Sequence, residues 1–367
     1  MTLLFTPVQA GTLQLPNRLV RSATAERMAD DLGRPTPKLL DLYRELARGG
    51  VGLIITGHMY IHPTGKAHPE MTGVYDDDLI PGLADLARAV HDEGGKIVAQ
   101  INHGGMQCSL DAVTGTIAPS ALQESFLRQP SREMTEDEIA STIDSYGQAA
   151  RRVREAGIDG VQIHAAHGYL VSQFLSPFIN RRIDSWGGDA SRRMAFLRAV
   201  CRAVRDLVGA DYPVMIKLGM IDGMASGLQP EESLGVVSEL EGLGIDALEI
   251  SSGVSGGASA RVGAIRPGIR TVADEAYFRP FAKMARDATR LPILLVGGLR
   301  SKIVMEDVLA SGDADLISIC RPLICEPDLP NRFRDGVQDR SGCISGNRCW
   351  AEGPEEGIAC KCVREQA

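Results

Sequence analysis

Eight short apolar runs punctuate this chain, each separated from the next by a stretch long enough for a helix, and that rhythm constrains the fold more than any other feature. They are Leu19-Val20 and residues 52–56, 96–100, 160–163, 213–217, 247–250, 292–296 and 316–319. Largely apolar runs of this kind suit strands buried on both faces, as in a parallel sheet whose crossover helices pack outside it. Eight such strands close into a barrel. The fold class read from the sequence is therefore α/β: a TIM (β/α)8 barrel over residues 1–340, followed by a cysteine-rich extension over 341–367 that is loosely structured and not an independent domain. One crossover helix is marked outright. Thr135 and Glu138 form a capping box, apolar residues follow at Ile139, Ile143 and Val153, and Ala156-Gly157 ends the pattern.

Composition narrows the class of function. Hydrophobic residues make up 44% and charged residues 23% of the 367, the balance of a globular protein. The net charge of −8 opposes nonspecific nucleic-acid binding, which sets many cations against phosphates. No stretch approaches the roughly 18 uninterrupted apolar residues of a membrane span. The opening segment, Met1-Thr-Leu-Leu-Phe-Thr-Pro7, lacks the charged and apolar regions of a secretory leader. The expectation is a cytoplasmic protein acting on a small molecule, with no nucleic-acid or membrane partner.

In a parallel barrel, chemistry gathers where the strands end. Here strand one ends in Ser22-Ala23-Thr24, strand two in Gly57, strand three in Gln100 with Asn102 and His103, and strand four in His164-Ala-Ala-His167-Gly-Tyr169. Strand five ends in Lys217, strand six in Ser251-Ser252, strand seven in Gly297-Gly298 and strand eight in Cys320-Arg321. Two imidazoles can hold one oxygen and a phenol can deliver a proton, although those six residues alone suit a packed core pair equally well. The loops after strands seven and eight are where this fold commonly binds phosphate; the glycines let backbone approach an anion and Arg321 adds charge. The irregular stretches 102–133 and 251–270 belong on the same face, the first as an excursion over the barrel mouth. From them Met106, Gln107, Arg261 and Arg266 are expected to wall a substrate pocket.

Taken together, Asn17-Arg18, Gln100 with His103, the run from His164 to Pro177, Asn180, Arg182, Asp184, Trp186-Gly-Gly188 and Val296-Gly-Gly298 resemble the Old Yellow Enzyme family of FMN-dependent oxidoreductases. The resemblance covers residues 3 to about 335 and is most specific from His164 through Gly188. It implies noncovalent FMN over the C-terminal mouth of the barrel, with NADH or NADPH as reductant. Gln100 then offers an acceptor and a donor to the flavin pyrimidine edge, and backbone at Ala23 and Gly57 reaches the N5/O4 side. Lys217 lies beside the N1/O2 end, where negative charge gathers on reduction. His164 and His167 resemble the pair that holds a substrate carbonyl, and Tyr169 resembles the proton donor, a phenol with an unperturbed pKa of roughly 10. The implied reaction is ping-pong: nicotinamide reduces the flavin and leaves, and the flavin passes hydride to the β-carbon of an activated alkene. Family members are often dimers or tetramers, so a homo-oligomer is compatible with the chain.

Four departures from the family pattern qualify that picture. Lys217 stands where arginine is frequent, keeping the charge and losing the planar fork. The position that usually offers a cysteine or threonine hydrogen bond to flavin O4 is Ala25, with Thr24 one residue earlier; if Thr24 cannot reach, the potential is lower. Cys320 precedes Arg321 where glycine is usual. Cys343, Cys349, Cys360 and Cys362 resemble the iron-sulfur segment of the dienoyl-CoA reductase and trimethylamine dehydrogenase branch, but Gly346 occupies the second ligand position. Free thiols are expected there rather than a cluster or a zinc site, and within residues 1–367 a cluster has no electron partner. Two rival readings remain open at this point. One is a metal-dependent barrel hydrolase with His103, His164 and His167 as ligands, and the other is a flavin-binding redox sensor with little turnover.

Overall fold

The computed structural model describes residues 2–123, 130–254, 263–349 and 357–362. The apolar runs form β1 (Leu19–Arg21), β2 (Leu53–Ile55), β3 (Ile97–Asn102), β4 (Gly160–Ala165), β5 (Val214–Gly219), β6 (Ala247–Ser251), β7 (Ile293–Leu295) and β8 (Leu316–Ile319). Each pairs in parallel with its neighbours, and β8 pairs with β1, so the sheet closes as the rhythm of the sequence required. The crossovers carry α1 (Pro37–Arg48), α2 (Ile80–His91), α3 (Glu136–Glu155), α4 (Ala195–Val208), α5 (Pro230–Leu240), α6 (Arg279–Ala288), α7 (Lys302–Ala310) and α8 (Leu329–Arg334). The capping box of α3 forms in both directions, with the Thr135 hydroxyl accepting from the Glu138 amide and the Glu138 carboxylate accepting from the Thr135 amide.

Side chains alternate along the strands. One set, including Ile54, Val161, Ile216, Leu248, Ile293 and Ile317, faces outward and packs with the helices in a single continuous core. The other set fills the barrel. At its lower level lie Val20, Leu53, Ile55, Val98, Met215, Ala247, Leu294 and Leu316, and an antiparallel hairpin, Val8–Ala10 with Leu13–Leu15, adds Ala10, Leu13 and Leu15 to the same cluster. The hairpin plugs the end of the barrel away from the chemistry. One strand period further up, the inward positions become Ser22, Gln100, Gln162, Lys217, Glu249 and Ser318, all buried.

Three strands run two residues beyond the ends expected from sequence, the first being β3, which reaches Asn102. β4 continues to Ala165 and β5 to Gly219, so His164 and Lys217 lie within the ladder, directly opposite each other. Ladder bonds continue because both side chains point inward and leave the backbone free to pair. After β3 the chain makes a turn at Gly105–Gln107 and a small parallel pair, Thr116–Ala118 with Ser131–Glu133. The C-terminal segment lies against the barrel: the Ser341 amide donates to the Arg300 carbonyl at 2.9 Å, and the Ile358 amide donates to the Glu26 carbonyl at 2.9 Å. Among the described residues, no helix is long and apolar enough to cross a membrane.

Candidate active site

A cavity of about 460 Å³ opens at the C-terminal ends of the strands. Its floor is the segment Ser22–Ala25, which is held from both sides. Arg21 pairs with Glu26 at 2.9 Å, and Glu26 also accepts from the Tyr43 hydroxyl at 2.7 Å. Beside the floor, Gln100 and Lys217 project from β3 and β5. The far end is bounded by Gly298, Arg300 and Arg321. Arg321 Nη1 donates to the Arg266 carbonyl at 2.8 Å and to Asn347 Oδ1 at 2.5 Å, so the C-terminal segment helps aim this guanidinium.

Above the floor stand the imidazoles. The Ala166 amide donates to His164 Nδ1 at 3.3 Å, which leaves the ring proton on Nε2. His167 Nε2 meets the Ser251 hydroxyl at 2.7 Å. The backbone at His167 is left-handed, φ 63°, a conformation that costs energy in any residue with a Cβ and that here swings the ring back over the barrel as the chain leaves β4. Tyr169 packs edge-on to His164, with ring centroids 4.8 Å apart. Burial pushes the His164 pKa well below its ordinary value and lowers that of His167 to about 3, with the Lys217 charge adding to both. Both rings are therefore neutral near pH 7. A neutral imidazole can donate a hydrogen bond without carrying a charge.

The structure brings together Ser22, Ala23, Thr24, Gln100, His164, His167, Tyr169, Lys217, Gly298, Cys320 and Arg321 around this cavity. Gly297 adjoins the lining without forming part of it. Gly57 is elsewhere. Its amide donates to Glu26 Oε1 at 3.0 Å and its carbonyl accepts from Thr56 Oγ1 at 2.9 Å, and a Cβ at this position would lie 1.9 Å from Glu26 Oε2. The glycine is needed for that close approach, and its amide is already bonded within the protein. Thr24 lines the cavity, but its hydroxyl donates to the Ser22 carbonyl at 3.0 Å and touches Cys320 Sγ at 2.9 Å. Met106 packs with Ala118, Leu122, Ile179 and Val254 instead of lining the cavity. Gln107 is also absent from the lining, and Arg266 stacks on Tyr277 with its guanidinium 4.3 Å from the ring centroid. Arg261 lies outside the described residues.

Further lining or supporting residues escaped the sequence reading, among them His58, Arg300 and Glu249. His58, one residue past Gly57, packs at a tilt against Tyr169 with centroids 4.9 Å apart, and burial lowers its pKa to about 4. Asn102 Nδ2 donates to His58 Nδ1 at 2.9 Å. Arg300 lies two residues past the strand-seven glycines. Glu249, in the middle of an apolar strand, anchors the polar layer beneath the cavity. A strand-end histidine and a charge inside a buried strand were the available signals.

His103 does not join His164 and His167. Its Nδ1 accepts from the Gly105 amide at 3.1 Å, its Nε2 meets Thr64 Oγ1 at 3.0 Å, and it is fully buried away from the cavity. The three-histidine ligand set of a barrel hydrolase is therefore not assembled. Among the described residues, no group of three or more histidine, cysteine or acidic side chains is arranged to hold a metal ion. At the C-terminal segment, Cys343, Cys349 and Cys362 are buried, and a Cβ on Gly346 would lie 2.8 Å from Cys362 Sγ. Burial pushes the Cys349 thiol up to about 12.

The residues present fit a flavin. A buried, unpartnered Ser318 hydroxyl faces the cavity, an amide and an ammonium flank one end, and two guanidiniums and a glycine turn flank the other. Fold and cavity together are those of a parallel (β/α)8 barrel with a polar, flavin-compatible site at its C-terminal mouth. Residues 3–340 match the model of the NADH:flavin oxidoreductase / NADH oxidase family, and the chain belongs to that family. It is 36% identical over 351 residues to a metal reductase from Desulforamulus reducens, covering 95% of this chain and 51% of the relative, so it spans about half that protein's length. Among solved structures it is similar to a 2-naphthoyl-CoA reductase in complex with 2-naphthoyl-CoA, with TM-score 0.86, 29% identity, and coverage of 91% of this chain and 52% of that one. It is also similar to an old yellow enzyme homologue from Zymomonas mobilis, with TM-score 0.79, 28% identity, and coverage of 93% and 95%.

Proposed function

We propose that this chain is an FMN-dependent reductase that uses NADH or NADPH to reduce the C=C bond of an activated alkene, an enone or a related α,β-unsaturated carbonyl compound. The observation that carries the reading is the neutral pair His164 and His167 standing with Tyr169 over a cavity whose polar floor suits a flavin. Bound FMN supplies the hydride chemistry that no side chain can. Gln100 and Lys217 hold the pyrimidine end, while Gly298, Arg300 and Arg321 hold the phosphate end. His164, with its proton on Nε2, and His167 beside it donate to the substrate carbonyl oxygen. They stabilise the negative charge that develops there as hydride reaches the β-carbon. Neutral donors suit this task, since a buried imidazolium would itself have to be desolvated. Tyr169, against the His164 ring, delivers the proton to the α-carbon. The relative crystallised with 2-naphthoyl-CoA supports a carbonyl conjugated to an unsaturated system as the recognised unit.

The test is spectral first and kinetic second. Purified protein is expected to be yellow and to bleach anaerobically with NADH or NADPH, and cyclohexenone is expected to restore the colour at a catalytic rate. A colourless protein carrying stoichiometric zinc overturns the reading in favour of a hydrolase. Bleaching without reoxidation by enones, dienoyl thioesters or nitroalkenes overturns it in favour of a sensor.

A further inference from the structure

The polar layer under the cavity runs in one direction, and a single carboxylate sets that direction. Glu249 is completely buried at the centre of β6. Three donors converge on it: the Ser22 hydroxyl at 2.7 Å from Oε1, the Gln162 amide at 3.0 Å from Oε2, and the Lys217 ammonium at 3.3 Å from Oε2. Lys217 also donates to the Ser22 hydroxyl at 2.8 Å, closing the triangle. A carboxylate only accepts, so the Gln162 side chain must turn its NH2 toward Glu249 and its carbonyl away. That carbonyl accepts from the Gln100 NH2 at 2.6 Å. Gln100 is thereby turned with its NH2 toward Gln162 and its own carbonyl oxygen away from it. The orientation of an amide at the cavity wall is thus dictated two residues away.

The same carboxylate governs charge. Lys217 brings one positive charge to the cavity, and Glu249 at 3.3 Å balances it. In a layer this deeply buried, a pair this close is weakly screened.

We propose that Glu249 is a positioning residue of the cofactor site: through Gln162 it fixes the Gln100 amide for the pyrimidine edge of the flavin, and through Lys217 it limits the positive potential felt at the N1/O2 side of that same end. This rests on the flavin reading above. Removing its charge leaves Lys217 uncompensated, which favours the reduced, more negative flavin.

The experiment compares FMN-loaded wild type with Glu249→Gln, Glu249→Asp and Gln162→Leu, reading midpoint potential and FMN affinity. Glu249→Gln is expected to raise the reduced-to-oxidised ratio at a fixed dye poise about tenfold, about 30 mV upward for a two-electron couple. Glu249→Asp, which keeps the charge, is expected to return toward the wild-type potential. Gln162→Leu is expected to weaken FMN binding about tenfold by freeing the Gln100 amide. A Glu249→Gln protein with the wild-type potential overturns the proposal, because a purely structural carboxylate would leave the potential alone. If Glu249→Gln does not fold, wild-type FMN affinity in Gln162→Leu overturns it instead. Wild-type protein that takes up no FMN sinks the flavin reading itself, which is a different result.

Discussion

The lower and upper halves of the barrel interior are built from the same strands, two residues apart, and behave as different materials. Val20, Val98, Met215, Ala247 and Leu316 fill the lower level, and the next inward positions along those strands are Ser22, Gln100, Lys217, Glu249 and Ser318. The lower level is apolar and plugged by the N-terminal hairpin, so its contribution is burial. The upper level is almost as buried, yet nearly every polar group in it has an internal partner, as buried polar groups require. Among the described residues of this level, the fully buried group without a partner is the Ser318 hydroxyl, on a residue that lines the cavity. One strand period therefore separates the part of the barrel that holds it together from the part that holds a ligand.

The sharpest test of that division is Tyr169→Phe, above the polar level. Alkene reduction is expected to slow by about 10²–10⁴-fold, while flavin reduction by nicotinamide stays near wild type in stopped-flow measurements of the two half-reactions. Equal loss in both would remove the proton-donor role. Leu53→Ala, in the lower level, is expected to cost about 2–5 kcal/mol in urea unfolding and to leave the flavin potential unchanged. A shifted potential there would show that the two levels are not independent.

Acid should strike the upper half next. Burial lowers the pKa of His58 to about 4 and of His103 and His167 to about 3, below the unfolded value of about 6.5. The unfolded chain then binds protons first as the pH falls. Stability is expected to be full above pH of about 6.5 and to decline progressively toward pH of about 4 for His58 and about 3 for His103 and His167, by up to about 1.4 kcal/mol per pH unit for each such ring. Unfolding midpoints that stay level across this window would contradict the burial of these rings in neutral form. The smallest effect is expected at Thr24. Its hydroxyl already serves the Ser22 carbonyl, so Thr24→Ala should leave the flavin potential in place, whereas Ala25→Thr should raise it. A fall in potential with Thr24→Ala would show that the hydroxyl reaches the cofactor after all.

How much of this was legible in the sequence depends on the range of the interaction involved. The eight strands were legible because burial on both faces imprints a local apolar run, and the α3 cap was legible because its partners are three residues apart. His164, His167, Tyr169, Lys217 and Arg321 were legible as strand-end chemistry. Gly57 misled because strand-end position does not tell backbone that faces a ligand from backbone already bonded, here to Glu26, which lies 31 residues away. His103, a ligand only in the rival hydrolase reading, has its ring turned to Thr64 instead of the cavity. His58 and Arg300 sat one or two residues past the positions where the strand ends were read.

By itself, then, the sequence determined a parallel barrel and the chemical types at its mouth, since both follow from patterns a few residues long. Only the tertiary structure decided which of those groups face one cavity, that Lys217 is paired with Glu249, and that one buried carboxylate orients the amides above it. Those relations join residues 32 to 227 positions apart, and strand closure, not local spacing, brings them within hydrogen-bonding distance.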